Sequence, residues 1–250
     1  MLPLTNEDKK ARSLCGLPIP VGGVDVHPLK VKDVVLVGED YYQYQLSLVT
    51  MFKKVIQIRS NLEDSDFAQI NDFVLLFYIV TMHPSIKDEV QLAIEFFLSD
   101  GYKADINVDQ LTIDIYNADD QLLAQFNEEQ YLEFIEIIKH QNYLDKQDDD
   151  DIRPADDAAR ELMEQRKRAR EMIAKAKGHK GEKLSLADYL SIASGKSLRN
   201  NTHFLDITIY SFYNYLERLM LIENYDVSLK QILAGADAKK IKIDHWAKKL

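Results

Sequence analysis

The sequence predicts a mainly α-helical, α+β protein, two helical units joined by an acidic linker and a charged helix. Three observations predict it. Apolar residues recur at three- and four-residue spacings over most of the chain, which is the period of a helix. A single stretch, "KADINVDQLTIDIYNADDQLLAQF", changes to a period of two and reads as a β-hairpin. A third stretch, "DKQDDDDIRPADD", is acidic and nearly free of apolar residues, which marks a solvated linker. The division that follows is an N-terminal helical domain with the hairpin over 1–145, an acidic linker over 146–157, a charged connecting helix over 158–180 and a small C-terminal helical domain with a basic tail over 181–250.

Taken in order, the opening "CGLPIPVGGVDVHPLKVKDVVLVGEDYY" cannot be a continuous helix, because Pro18, Pro20 and Pro28 interrupt it. Val24, Val26, Leu29 and Val31 suggest extended chain with an early turn, and 32–37 fits either a short helix or a strand before Gly38. A helix then follows with Tyr41, Tyr44, Leu48, Met51, Phe52 and Val55 as its expected apolar face. Ser65 and Asp66 are the expected caps of "FAQINDFVLLFYIVTMH". That helix is apolar on nearly all sides from Phe73 to Val80 and so belongs in a core. His83-Pro84 ends it. The next helix, "SIKDEVQLAIEFFLSDG", is expected to begin at a Ser85/Asp88 capping pair and to close at Gly101.

After the hairpin, Asn127 is the expected cap of "EEQYLEFIEIIKHQNYL", whose first-turn acids suit the helix dipole. Beyond the linker, "AARELMEQRKRAREMIAKAKG" reads as a long exposed helix. Ser185 and Asp188 should cap a short helix, and Asp206 should cap "ITIYSFYNYLERLMLIENY" with Ile209, Phe212, Tyr213, Leu216, Leu219 and Met220 on its face. One more helix is expected from Tyr225-Asp226 to Gly235, followed by the tail "DAKKIKIDHWAKKL".

Charge is unevenly placed in this chain of net charge −10. Residues 1–157 carry 13 Lys and Arg against 30 Asp and Glu, a net of −17, while residues 158–250 carry 18 against 11, a net of +7. Such asymmetry suggests two surfaces for different partners, and the acidic half discourages non-specific nucleic-acid binding. No run of eighteen apolar residues and no signal-peptide apolar region is present, and Cys15 is the single cysteine. These features favour a cytoplasmic protein.

Motifs for chemistry are sparse. "ASGKSL" ends like a phosphate-binding loop but has Leu190 where the loop needs its first glycine. The six histidines, His27, His83, His140, His179, His203 and His245, have no zinc-site spacing, and Cys15 reads as a small packed residue. The acidic linker lacks the turn glycine and distal glutamate of an EF-hand loop. No catalytic residue, metal ligand or cofactor site is assigned, and a non-enzymatic interaction protein is expected. The candidate partner-binding set is Trp246, the only tryptophan, with Lys239, Lys240, Lys242, Lys248 and Lys249 around it. The lysines would speed encounter with an acidic partner and Trp246 would anchor it. "RKRAR" and the lysine tail also leave a nucleic-acid-binding regulator as a further alternative.

Three stretches together resemble the tail assembly chaperones of siphophages that infect Gram-positive bacteria: "VHPLKVKDVVLVGEDYYQYQLSLV", "FLDITIYSFYNYLERLMLIENYD" and "LAGADAKKIKIDHW". The chain departs from that pattern at Ser211-Phe212-Tyr213, where the family often carries a glutamine before the aromatic. The resemblance implies a helical N-terminal unit that coats the tape-measure protein, an extension that recruits tail-tube protein, and absence from the mature virion. Self-association is a further expectation. The rival reading is a structural tail, baseplate or connector component that stays in the particle.

Overall fold

A computed structural model describes residues 4–60, 70–98, 101–144, 184–197, 200–235 and 247. They form a mostly helical structure with two small antiparallel sheets, the α+β class read from the sequence. The acidic linker and the charged helix "AARELMEQRKRAREMIAKAKG" lie outside the described residues, as do Ser65 and Asp66.

Helix α1 (Asn6–Cys15) begins with a reciprocal capping box, in which the Thr5 side chain accepts from the Asp8 N–H and the Asp8 carboxylate accepts from the Thr5 N–H at 3.1 Å. The sequence reading passed over this helix, although "TNED" is the local signature of such a box. Strands β1 (Ile19–Val21) and β2 (Val24–Val26) pair as a hairpin and bury Ile19, Val21, Val24 and Val26. Its turn needs Gly22: φ is +55°, and a Cβ there would meet the Phe126 ring at 3.0 Å.

Helix α2 (Val31–Val37) settles the ambiguity over 32–37 in favour of helix. Helices α3 (Glu39–Thr50) and α4 (Phe52–Ser60) are separated at Met51, whose φ of −136° breaks the helical path. This corrects the expected face. Tyr42, Gln45, Leu46, Leu48 and Val49 point inward on α3, while Tyr41, Tyr44 and Met51 are exposed. The rival stripe Tyr42, Leu46, Val49 has equally good helical spacing, and only packing chooses between the two.

Helix α5 (Asp72–Met82) is capped by Asn71, whose side chain accepts from Phe73 N–H at 2.8 Å. It buries Phe73, Leu75, Leu76, Phe77, Ile79 and Val80, but Val74, Tyr78 and Met82 are exposed, so one side of the helix lies outside the core that its all-round apolarity predicted. Helix α6 (Pro84–Phe97) starts with Pro84 in its first turn and His83 as cap, without a side-chain capping bond, so the expected Ser85/Asp88 pair is not its cap. A proline supplies the preset φ and spares an N–H that has no partner in the first turn. The helix ends at Phe97, before Gly101.

The period-two stretch forms three strands rather than a two-stranded hairpin: β3 (Lys103–Asn107), β4 (Thr112–Tyr116) and β5 (Leu122–Phe126), in that spatial order. Register places Ile113 opposite both Ile106 and Phe126, and Ile115 opposite both Ala104 and Ala124, so one face is apolar and buried. On the other face Asp114 is buried but accepts from Thr112 Oγ1 at 2.9 Å and Gln125 Nε2 at 3.1 Å. Helix α6 covers the β3 edge. Gln91 donates to the Ala104 carbonyl at 2.7 Å, and Glu95 accepts from the Ala104 N–H at 2.8 Å, which occupies the backbone groups an open edge would present.

Helix α7 (Glu128–Gln141) carries the expected Asn127 cap, reciprocated by Gln130. Helix α8 (Leu186–Ser197) carries the expected Ser185/Asp188 pair, with Asp188 N–H donating to Ser185 Oγ at 3.2 Å. A short helix α9 (Thr202–Leu205) leads to α10 (Ile209–Leu233). The α10 cap is Thr208, not Asp206: its side chain accepts from Ser211 N–H at 3.0 Å, while Asp206 pairs with Lys32 at 3.3 Å on the surface. Nor does a new helix start at Tyr225-Asp226, since α10 runs unbroken through both.

Residues 184–216 share one hydrophobic core with residues 19–138, because Leu186, Leu190, Ala193, Phe204, Ile209, Phe212 and Leu216 pack into the same cluster as Leu48, Phe97 and Phe134. Backbone bonds also cross between these stretches, from Val31 N–H to Ile207 O at 3.0 Å and from Ile209 N–H to Leu29 O at 2.9 Å.

Candidate interaction surfaces

The aromatic run "YSFYNYLERL" is mostly a packing device. Phe212 is fully buried and Tyr210 nearly so, while Tyr213 and Tyr215 pack against the core with one side open. Tyr143, just past α7, lies 5.3 Å from Tyr210 and 6.1 Å from Tyr213, and its hydroxyl bonds to the Glu217 carboxylate. Tyr189 of α8 meets Tyr213 edge-on at 5.9 Å. This cluster seats the first half of α10 on α7 and α8. Burial is the main cause raising the Tyr143 and Tyr213 ionisations; for Tyr143 the bond to Glu217 adds to it.

A second arrangement faces outward on α3 and α6. Tyr41 stands edge-on to Phe96 at 5.9 Å, and the Tyr44 hydroxyl donates to Glu89. Arg59 from α4 clamps the same carboxylate through two bonds, at 2.7 and 3.2 Å. Leu92 lies between Glu89 and Phe96 on the helix, at i+3 and i−4, and is 56% exposed. The result is a ridge of Tyr41, Phe96, Leu92 and Tyr44, closed at one end by the Arg59–Glu89 pair. Arg59 and then the Tyr44 hydroxyl hold the Glu89 carboxyl below its usual range. The sequence reading missed this surface because it assigned Tyr41 and Tyr44 to the core. Its available signal was the competing 42/46/49 stripe.

A third surface is the far half of α10. None of the described residues from Glu217 to Gly235 is buried, although Leu221, Ile222, Tyr225, Leu229, Ile232 and Leu233 fall there. On this half Glu223 pairs with Lys196 at 2.6 Å. Lys196 belongs to "ASGKSL", so its ammonium serves a surface pair, and Gly195 lies within α8 rather than in a loop.

Trp246, Lys239, Lys240, Lys242, Lys248 and Lys249, "RKRAR" and the acidic stretch all lie outside the described residues. Cys15 is exposed at the end of α1, not packed; its neighbour Ser13 takes the buried position. Among the described residues His27, His83 and His203 are exposed, and no group of three or more His, Cys, Asp or Glu is placed to hold a metal ion. No helix among the described residues is long and apolar enough to cross a membrane.

A family model described as the YomV second domain matches residues 175–250. That family is of Bacillus phage derivation, and the match supports a phage protein. It takes in α8, α9, α10 and the lysine-rich tail as one stretch. No curated protein and no solved structure matches the chain.

Proposed function

We propose that this phage protein is a non-enzymatic tail assembly chaperone, which binds the tape-measure and tail-tube proteins in the host cell during tail morphogenesis. The observation that carries the reading is the ridge of Tyr41, Phe96, Leu92 and Tyr44 beside the Arg59–Glu89 clamp. Aromatic and arginine side chains on a firm helical base are the composition of interface hot spots. The ridge is straight along α6, and Glu89 to Phe96 spans about 10 Å of helix rise. That shape suits an amphipathic helical segment, the form expected of a tape-measure protein. The phage derivation of the matched domain and the resemblance of the three sequence stretches to tail assembly chaperones support the same reading.

The test is co-expression with the tape-measure and tail-tube proteins of the same phage, followed by affinity capture and mass spectrometry of purified virions. The intact chain should capture the tape measure, and a Tyr44→Ala/Leu92→Ala variant should lose at least tenfold in affinity with an unchanged fold. The chain should be missing from virions. Stoichiometric presence in virions would replace the chaperone reading with that of a structural tail component.

A further inference from the structure

The ridge between α3 and α6 carries an acid on each of its outer sides. The two helices meet along it, with Tyr41 against Phe96 at one end and Tyr44 against Glu89 at the other. A helix turns about 100° per residue, so Asp40 stands about 40° beyond Tyr44, on the side turned away from Tyr41 and α6. By the same rule Asp88 stands about 40° beyond Leu92, on the side turned away from Glu89 and α3. Asp40 adjoins the Tyr41 end and Asp88 the Glu89 end, so the two carboxylates lie diagonally across the apolar centre. Both are exposed, and among the described residues neither makes an ion pair. The cations beside them are already occupied, Arg59 by Glu89 at 2.7 Å and Lys87 by Asp105 at 2.9 Å.

We propose that the ridge receives a helix bearing lysine or arginine on both sides of its apolar stripe. The proposal rests on the reading of the ridge as a docking surface and adds the chemistry of its occupant. Tyr41, Tyr44 and Leu92, which are 46%, 39% and 56% exposed, take up the stripe. Long basic side chains on either flank of the docked helix then reach over the aromatic rims, stems on the apolar surface and charged heads at Asp40 and Asp88. The diagonal placement of the two acids fixes a flank and an end for each cation, which sets the orientation of the bound helix. A second copy of the same surface is the wrong occupant. A two-fold pair of ridges would bring Asp40 and Asp88 of one copy against those of the other, and like charges at a contact oppose it. The net charge of −10 attracts cations to the whole chain, whereas these two carboxylates act at one place.

The test titrates two synthetic helices against the intact chain by fluorescence anisotropy. Both carry the same leucine stripe, one flanked by lysine and the other by glutamate. In about 50 mM salt the lysine-flanked helix should bind about tenfold more tightly or better, and in about 0.5 M salt the gap should shrink below about threefold. Asp40→Asn/Asp88→Asn should close the gap in low salt. Asp109→Asn/Asp119→Asn makes the same change of net charge at exposed positions in the β3–β4 and β4–β5 turns, and should leave the gap open. Circular dichroism confirms that both variants are folded. Equal affinities in low salt, no binding of either helix, or a gap closed equally by both variants overturns the proposal. Capture of the tape-measure protein, measured alongside, separates this proposal from the function above. Capture by the unmodified chain that Asp40→Asn/Asp88→Asn leaves unchanged overturns the proposal and leaves that function standing. A lysine preference abolished by Asp40→Asn/Asp88→Asn, without tape-measure capture, supports the proposal and overturns that function.

Discussion

The Thr208 hydroxyl donates to the Ser13 carbonyl at 2.9 Å, joining residues 195 positions apart in the chain, and both residues are buried. The same oxygen accepts from Ser211 N–H as the cap of α10. One side chain therefore starts a helix and fastens it to α1. Thr208→Ala removes the cap, worth about 1 kcal/mol, and leaves a buried carbonyl unpaired, worth about 1–3 kcal/mol. The expected loss is about 2–4 kcal/mol in a denaturant titration, most of it restored by Thr208→Ser. Equal losses in the two variants would show that the methyl, not the hydroxyl, matters.

The shared core makes a second prediction. A protease site inserted at residue 150 and then cleaved should leave the two fragments associated, because Ile209, Phe212 and Leu216 are buried among residues of the first 144. Size-exclusion chromatography of the nicked protein should give a single peak at the intact mass. Separate elution of the fragments at micromolar concentration would contradict the core described above.

Phe77 is 4% exposed and shares the α5 core surface with Phe73, whose ring centre is 4.9 Å away. Phe77→Ala should cost about 3–5 kcal/mol, whereas Tyr78→Ala, on the exposed side, should stay within about 1 kcal/mol. Thermal melts of the pair check the orientation of α5.

Alkaline pH should loosen the seat of α10. Burial first, then the charge of Glu39 and the neighbouring Tyr189, push the Tyr213 ionisation up to about 12. An unfolded tyrosine ionises at about 10. A folded value above the unfolded one gives stability that is complete below about pH 10 and is lost as pH rises towards about 12. Tyr213→Phe cannot ionise, so its stability should fall less steeply over that window. Parallel slopes for the two proteins in urea titrations at stepped pH would refute this role.

Sequence alone determined the features that depend on neighbours in the chain. The Asn127 and Ser185/Asp188 caps, the stop at His83-Pro84 and the switch to period two each involve groups a few residues apart, whose geometry follows from the local backbone. Tertiary structure decided the rest. Two stripes on α3 have helical spacing, and contact with α6 and α7 selected Tyr42, Leu46 and Val49 for the interior, which left Tyr41 and Tyr44 to form the ridge. Thr208 prevailed over Asp206 as a cap because its hydroxyl also meets a carbonyl of α1. Strand β3 was hidden because Ala104 and Ile106 are its only apolar residues, and its cover, Gln91 and Glu95 on α6, is brought to it by the fold. Contacts of this kind are decided by which surfaces meet, and local spacing carries no record of that.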